Sequence, residues 1–422
     1  MPEKNKFATS AAQEVFHGLY GPVAAQSAPA RYEKLEKEFL RHFGGGEYRV
    51  FSAPGRTEIG GNHTDHQNGR VLAAAVSLDT IAAARATGGS VVRLRSEGYD
   101  REFSVDLSDL LPREGERETT NALIRGVAAR MQEFGYFIGG FDAYVSSTVL
   151  KGSGLSSSAA FEVLIAAILD GLYNVGQMDA KLRAQIAKYA ENVYFGKPSG
   201  LMDQMASSVG GLVTIDFADE QLPQVKKIPL DFESTGYVLV VTDTGGSHAD
   251  LTYEYAAIPA DMRAVAACFG QERLRTVNPD EFYRQITRVR METSDRAILR
   301  AMHFFGDNAR VERQAAALHQ GDMEAFFAHI IESGESSWKL LQNCHVTGSA
   351  EQGVTLALAL SERILRGRGA WRVHGGGFAG TIQAFVPKDA LGDYVEELQR
   401  VFGPRTCTAL HIRQPGAMEL TF

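Results

Sequence analysis

Leu150-Lys151-Gly152-Ser153-Gly154-Leu155-Ser156-Ser157-Ser158-Ala159-Ala160 runs directly into a segment where Ala160, Val163, Leu164, Ala167, Ile168 and Leu172 recur at the helical period. Gly152 and Gly154 allow close backbone approach to a ligand and can aim successive N–H groups inward. A helix N-terminus behind such a turn favours an anion. Ser157 or Ser158 is the expected N-cap. The hydroxyls can also serve a phosphate or supply a ligand to Mg2+. Residues 152–158 are therefore the candidate phosphate loop. The stretch is not a Walker A loop, because no Gly-Lys-Ser/Thr follows, and the third glycine of a dinucleotide fingerprint is missing. Taken alone, a polar capped turn is the competing reading.

Two further glycine-bearing segments lie outward from it. Ala53-Pro-Gly-Arg-Thr-Glu-Ile-Gly-Gly-Asn-His-Thr-Asp-His-Gln-Asn-Gly69 follows a short strand, Tyr48–Ala53, and reads as a loop. It brings Arg56, Glu58, His63, Asp65 and His66 within eleven residues, a density of hydrogen-bonding groups that suits a polar substrate. A metal site at His63, Asp65 and His66 competes, but the spacing is short and a further ligand is missing. His374-Gly-Gly-Gly-Phe-Ala-Gly380 lies between two strands. Consecutive glycines cost backbone entropy, so either a flexible hairpin or close approach to a phosphate or to residues 152–158 explains them.

Glycine is the compositional excess: 43 of 422 residues, about 10% against a usual ~7%. The formal charge of −8 disfavours a broad polyanion surface and so nucleic acid, but leaves a small anionic ligand open. Cys268, Cys344 and Cys407 form no Cys-x-x-Cys pair, which argues against a disulfide framework or thiolate zinc. No signal-peptide h-region and no uncharged apolar run of ~18 residues is present, so a cytoplasmic protein without membrane association is expected.

Helical periods fall at 8–43, 119–134, 158–173, 179–195 and most of 250–330, with 354–364 continuing that last helix. Strand patterns fall at 71–84 (with a turn inside), 91–96, 102–105, 140–148, 211–217, 236–242, 370–374 and 380–387. The irregular mixture favours α+β over a doubly wound sheet.

The three segments, in this order, resemble the motifs of the GHMP small-molecule kinases, and among these the galactokinase family. The first family motif reads approximately Pro-Gly-Arg-Val-Asn-Leu-Ile-Gly-Glu-His-Thr-Asp-Tyr, matched by Pro54–His66. Gly-Leu-Ser-Ser-Ser-Ala is intact at 154–159, and Gly-Gly-Gly-Phe-Gly-Gly is matched at 375–380 with Ala379 as a departure. Gly200-Leu-Met-Asp-Gln204 and Arg300-Ala-Met-His303 extend the match over roughly residues 30–422.

The resemblance implies a two-lobed α+β fold with the active site between lobes. A helical extension at 1–30 would precede an N-terminal domain at 31–205 and a C-terminal domain at 206–422. It implies a sugar 1-kinase using ATP and Mg2+, most simply converting D-galactose to α-D-galactose 1-phosphate, as a monomer or homodimer. Asp203 would take or orient the proton of the C1 hydroxyl, with Arg56 keeping it ionised. Gly152, Ser153, Gly154, Leu155, Ser156, Ser157 and Ser158 would hold the ATP phosphates. Ser157 and Glu191 would hold Mg2+, and Asn62, His63, Asp65 and Tyr255 would contact the sugar.

Several positions depart from the family pattern. Asn62 stands where glutamate is usual near the sugar C6, and His66 replaces tyrosine. Thr57-Glu58-Ile59-Gly60 replaces Val-Asn-Leu-Ile, and the Arg-Arg after the site tyrosine is absent. These departures admit galacturonate or L-arabinose as acceptors. A non-catalytic sugar sensor on the same fold is the reading from another class, opposed by the retention of Arg56, Asp203 and the serine run.

Overall fold

The structure, a computed structural model, describes residues 5–149, 154–197, 199–246 and 251–422. The chain opens with helices α1 (Ser10–Ala24) and α2 (Ala28–Phe43). Strands β1 (Arg49–Gly60), β2 (Arg70–Ala86), β3 (Val91–Ser96) and β4 (Phe103–Asp106) follow. Next come α3 (Thr120–Glu133), β5 (Phe141–Ser147), α4 (Ser157–Asn174), α5 (Ala180–Tyr189) and α6 (Met202–Val209). Strands β6 (Leu212–Asp216), β7 (Gln224–Ile228) and β8 (Tyr237–Asp243) lead into helices α7 (Thr252–Ala267), α8 (Pro279–Arg284), α9 (Ile286–Glu292), α10 (Asp295–Gln320), α11 (Met323–Ser336) and α12 (Gly353–Leu365). The chain closes with β9 (Ala370–Val373), β10 (Thr381–Pro387), α13 (Leu391–Phe402), β11 (Cys407–Leu410) and β12 (Met418–Leu420).

Among the described residues two sheets result, giving the expected α+β class. One runs β12-β1-β2-β5-β3-β4, with β6 pairing β2 and β7 pairing β6; the other runs β11-β8-β10-β9. Strand β2 has no internal turn, contrary to the sequence expectation. Its first residues, 70–74, pair with β6, and residues 80–86 pair with β5. Both of its faces are covered. Ala82 and Ala84 pack among residues of α3 and α4, while Ile81 and Ala83 pack among Phe16, Tyr32 and Phe39 of α1 and α2. A strand buried on both faces reads as a continuous apolar run, which hides its period of two.

The segment expected to loop after Ala53 is also strand, because β1 continues to Gly60. Its register against β2 shifts between Pro54 and Arg56 and again between Glu58 and Gly60. Pro54 supplies no ladder N–H, and such bulges bend a strand and re-aim its side chains. The residues expected to continue one helix at 354–364 belong instead to the separate α12.

Helices α1 and α2 seal the outer face of the first sheet around a buried carboxylate. Asp79 accepts hydrogen bonds from Tyr20, Ser52, Arg31 and Arg413. A further apolar cluster joins Ile59, Leu72 and Val76 of the first sheet to Leu239, Phe326 and Phe385 near the second. Among the described residues no helix is long and apolar enough to cross a membrane.

Candidate active site

The bulge at Pro54-Gly55 turns Arg56 toward the start of α6, where Asp203 lies in the first turn. Arg56 Nε donates to Asp203 Oδ1 at 2.7 Å and Nη2 reaches Oδ2 at 2.6 Å, a two-pronged pair. Arg56 also bonds the glycine turn before α4: its Nη1 donates to Gly154 O, and its backbone N–H to Leu155 O at 3.1 Å. Burial pushes the Asp203 carboxyl up, but the Arg56 charge and hydrogen bonds from Ser156 and Arg56 outweigh this and hold it below the usual carboxylate range.

Helix α4 starts at Ser157, and its N-cap position is Ser156, not Ser157 or Ser158. Ser156 has a left-handed backbone, φ 57°, and does not cap with its side chain. Its one O–H goes to Asp203 Oδ2 at 2.6 Å, drawn by the carboxylate. Gly154 has φ +71°, and a Cβ there would lie 2.9 Å from His374 Nδ1. Gly152 and Ser153 lie outside the described residues. Beside the helix start, a cavity of about 460 Å3 is lined by Leu94, Phe103, Leu123, Val149 and Phe161 together with Ser157 and Ser158.

Glu191 sits in a turn of π-helix, Ala190–Phe195, buried behind the same helix start. Such turns recur at functional sites. Two hydroxyls reach Glu191: Ser199 at 2.5 Å from Oε2, and Ser158 at 3.0 Å from Oε1. Lys197 Nζ stands 3.1 Å from the same oxygen, a positive charge where a cation would sit. Gln204 Nε2 donates to Glu191 Oε2 at 2.8 Å and to Glu162 Oε2 at 3.1 Å. Hard oxygen donors of this kind suit Mg2+, which typically needs one or two protein carboxylates and completes its shell with waters and substrate phosphates. Among the described residues no cluster of three His, Cys, Asp or Glu forms a metal cage.

The turn after β1 carries His63 and Asp65. His63 has φ 57°, and its Nε2–H donates to Gly376 O at 3.0 Å, which leaves Nδ1 as an acceptor. Burial and the neighbouring His66 push the His63 ring down to about 4, so it is neutral near pH 7. Asp65 lies beside Gly200, where a Cβ would come within 2.2 Å of its Oδ2. The glycine therefore admits this carboxylate next to the segment that carries Asp203. Asn62 is turned into the protein and is fully buried.

The third glycine segment is a wedge, not a free hairpin. Tyr255 O–H donates to Gly377 O at 2.9 Å, and its ring meets Phe378 edge-on at 5.3 Å between centroids. A Cβ on Gly376 would lie 2.6 Å from the Tyr255 ring, and one on Gly377 would lie 2.2 Å from Asn343 O. Gly375 approaches Gly154 closely enough that its Cβ would touch the Gly154 Cα at 4.0 Å. All three segments thus converge, with Arg56 and Asp203 between the glycine turn and the turn of His63 and Asp65.

Sequence reasoning missed Glu162, Gln204, Lys197 and Arg372. Glu162 follows Ser158 by four positions on α4, a same-face spacing that could have linked it to Glu191. Arg372, fully buried on β9 with its guanidinium on Glu58 and Ile59 of β1, carries no such local signal.

This arrangement defines a small-molecule kinase of the GHMP class. The GHMP kinases N terminal domain matches residues 122–211, and the galactokinase galactose-binding signature matches residues 37–86. Solved structures share the fold: the Lactococcus lactis galactokinase complexed with galactose aligns at TM-score 0.80 and 23% identity, covering 92% of this chain and 100% of that one. The mevalonate kinase of Methanococcus jannaschii aligns at 0.60 and 14%, covering 87% and 99%. The chain belongs to the galactokinase family. It is 33% identical to the galactokinase of Streptomyces coelicolor over 84% of its own length and 88% of that protein. It is 30% identical to that of Streptococcus thermophilus over 86% and 91%.

Proposed function

We propose that the protein transfers the γ-phosphoryl group of ATP to the C1 hydroxyl of D-galactose, giving α-D-galactose 1-phosphate and ADP. The observation that carries this reading is the Arg56–Asp203 pair, seated on Gly154 and Leu155 and facing the turn of His63 and Asp65. The glycine turn, with Gly152 to Ser158, holds the phosphates through backbone N–H groups and the uncapped start of α4. The cavity beside it, with apolar walls from Leu94, Phe103, Leu123 and Phe161 and polar groups such as Ser96, Glu97 and Thr120, has the size and lining for the nucleoside. Ser158 and Glu191, with Ser157 adjacent, would hold Mg2+, which when bound neutralises phosphate charge.

His63 Nδ1 and Asp65 accept hydroxyl hydrogens of the sugar. Tyr255 and Asn62 stand behind them against the glycine wedge. The C1 oxygen attacks the γ-phosphorus as the bond to the β,γ-bridging oxygen breaks. Because the Asp203 carboxyl is held low, it is a weak base that orients the hydroxyl and receives its proton late. This suits a loose phosphoryl-transfer transition state, in which positioning and charge neutralisation dominate. A cytoplasmic setting and a monomeric or homodimeric state belong to the same reading.

ADP release over D-galactose, D-galacturonate, L-arabinose, D-glucose and N-acetylgalactosamine tests the proposal. Galactose should be turned over fastest. Folded, ATP-binding protein that turns over none of them would refute it.

A further inference from the structure

Relative to the family motif, the carboxylate and amide of the first segment have exchanged places. The pattern Asn-Leu-Ile-Gly-Glu is here Glu58-Ile-Gly-Gly-Asn62. In the structure the two side chains touch, Asn62 Nδ2 donating to Glu58 Oε1 at 2.9 Å. Arg372 Nη2 donates to that same oxygen at 2.9 Å, and its Nη1 to Ile59 O at 2.6 Å. Glu58 is thus the carboxylate hydrogen-bonded to the fully buried Arg372 guanidinium, whose charge also works against burial to lower the Asp307 carboxyl. Burial pushes the Glu58 carboxyl itself up to about 7.

Asn62 has no hydrogen-bonding capacity left for a ligand. Its second amide hydrogen goes to Gly375 O at 2.7 Å, and its Oδ1 accepts from Asn343 Nδ2 at 2.8 Å and Ser337 Oγ at 3.2 Å. Its main chain is held too, the N–H on Asp307 Oδ2 at 2.8 Å and the carbonyl on His303 Nε2 at 2.9 Å. Asn62 and His63 therefore grip successive carbonyls, Gly375 and Gly376, of the glycine wedge.

We propose that Glu58, Asn62 and Arg372 act as one positioning unit, which locks the turn of His63 and Asp65 onto the wedge and so sets affinity for the sugar but not for ATP. The inference rests on the proposed function. The unit works by charge count. Removing the carboxylate takes from a buried guanidinium its hydrogen-bonded partner, and a second carboxylate at position 62 would add an uncompensated buried charge. Moving the carboxylate from 58 to 62 keeps the count, because Asn62 Nδ2 and Arg372 Nη2 converge on the same Glu58 oxygen.

The test is a double-mutant cycle of E58N, N62E and the pair, read by melting temperature and by separate KM values for galactose and ATP. Each single exchange should lower the melting temperature and raise the galactose KM about tenfold or more, with the ATP KM within about twofold. The double exchange should recover most of the loss in melting temperature and only part of the rise in galactose KM, because a carboxylate at position 62 cannot donate to Gly375 O. Losses that simply add in the double variant, or an ATP KM that rises in step with the galactose KM, would overturn the proposal. If E58N does not fold, E58Q with N62D makes the same cycle with a smaller change, read by the same outcomes. Wild-type turnover of galactose, measured alongside, tests the proposed function separately. Should it be absent, the melting-temperature cycle still decides whether the three residues are coupled.

Discussion

On the proposed function, Asp203 must both stay ionised in a protein-lined cleft and meet a substrate hydroxyl. Arg56 and Ser156 make the first possible, and their cost is basicity. Replacing Asp203 with Asn keeps the shape and removes the charge. The expected outcome is a fall in kcat of about a hundredfold or more, with both KM values changed little, measured by steady-state ADP release. Near-wild-type turnover would remove the assigned role. The pH sign follows from the lowered carboxyl: the active form is present above the folded pKa and lost as pH falls through it. Activity should therefore show no Asp203 inflection between about pH 5 and 8. Ser156→Ala removes one of the bonds that lower it, so the acid limb of kcat/KM should move upward. An unmoved limb would show that Ser156 does not tune the carboxylate. At this scale the sequence was informative, since Arg56 and Asp203 stood in motifs. The assignment of Ser157 or Ser158 as N-cap failed because the helix already begins at Ser157, which puts Ser156 in the cap position, where its left-handed backbone turns the hydroxyl to Asp203.

Elements were legible where one face is wet and obscured where both are dry. The hairpin of β3 and β4 was readable because its exposed and buried residues alternate. Strands β1 and β2 were not, since a proline-glycine bulge and double-sided burial erase the pattern. The glycine wedge was visible as glycine, but its cause, the Tyr255 ring and Asn343 carbonyl, lies far away in sequence. Gly377→Ala combines a left-handed φ of +77° with a backbone clash at 2.2 Å. It should raise the galactose KM well before it affects the ATP KM, as separate saturation curves would reveal. The N-terminal helices, whose purpose composition does not disclose, cover the sheet over Asp79. Asp79→Asn leaves Arg413 buried beside a neutral group, and should cost about 3–5 kcal/mol in urea unfolding. A loss under about 1 kcal/mol would mean the carboxylate is not the anchor of this layer.

At the scale of the molecule, the two sheets are joined by a shared apolar cluster and by polar contacts from β1 to the segments around the wedge. The return of the chain end as β12 beside β1 was not foreseeable from three residues. The acidic net charge proves compatible with the proposed binding of ATP, because a glycine turn, a helix start and a few local side chains need no basic surface. On the proposed function, the whole assembly serves to place a sugar C1 hydroxyl between Asp203 and the γ-phosphate. The most direct test is phosphorus–proton correlated NMR of the product formed from D-galactose and Mg-ATP, run beside the Asp203→Asn variant. The account predicts a single α-D-galactose 1-phosphate, with the phosphorus coupled to the anomeric proton, and almost none from the variant. Phosphate on another carbon, inorganic phosphate with no sugar ester, or equal product from the variant would contradict it.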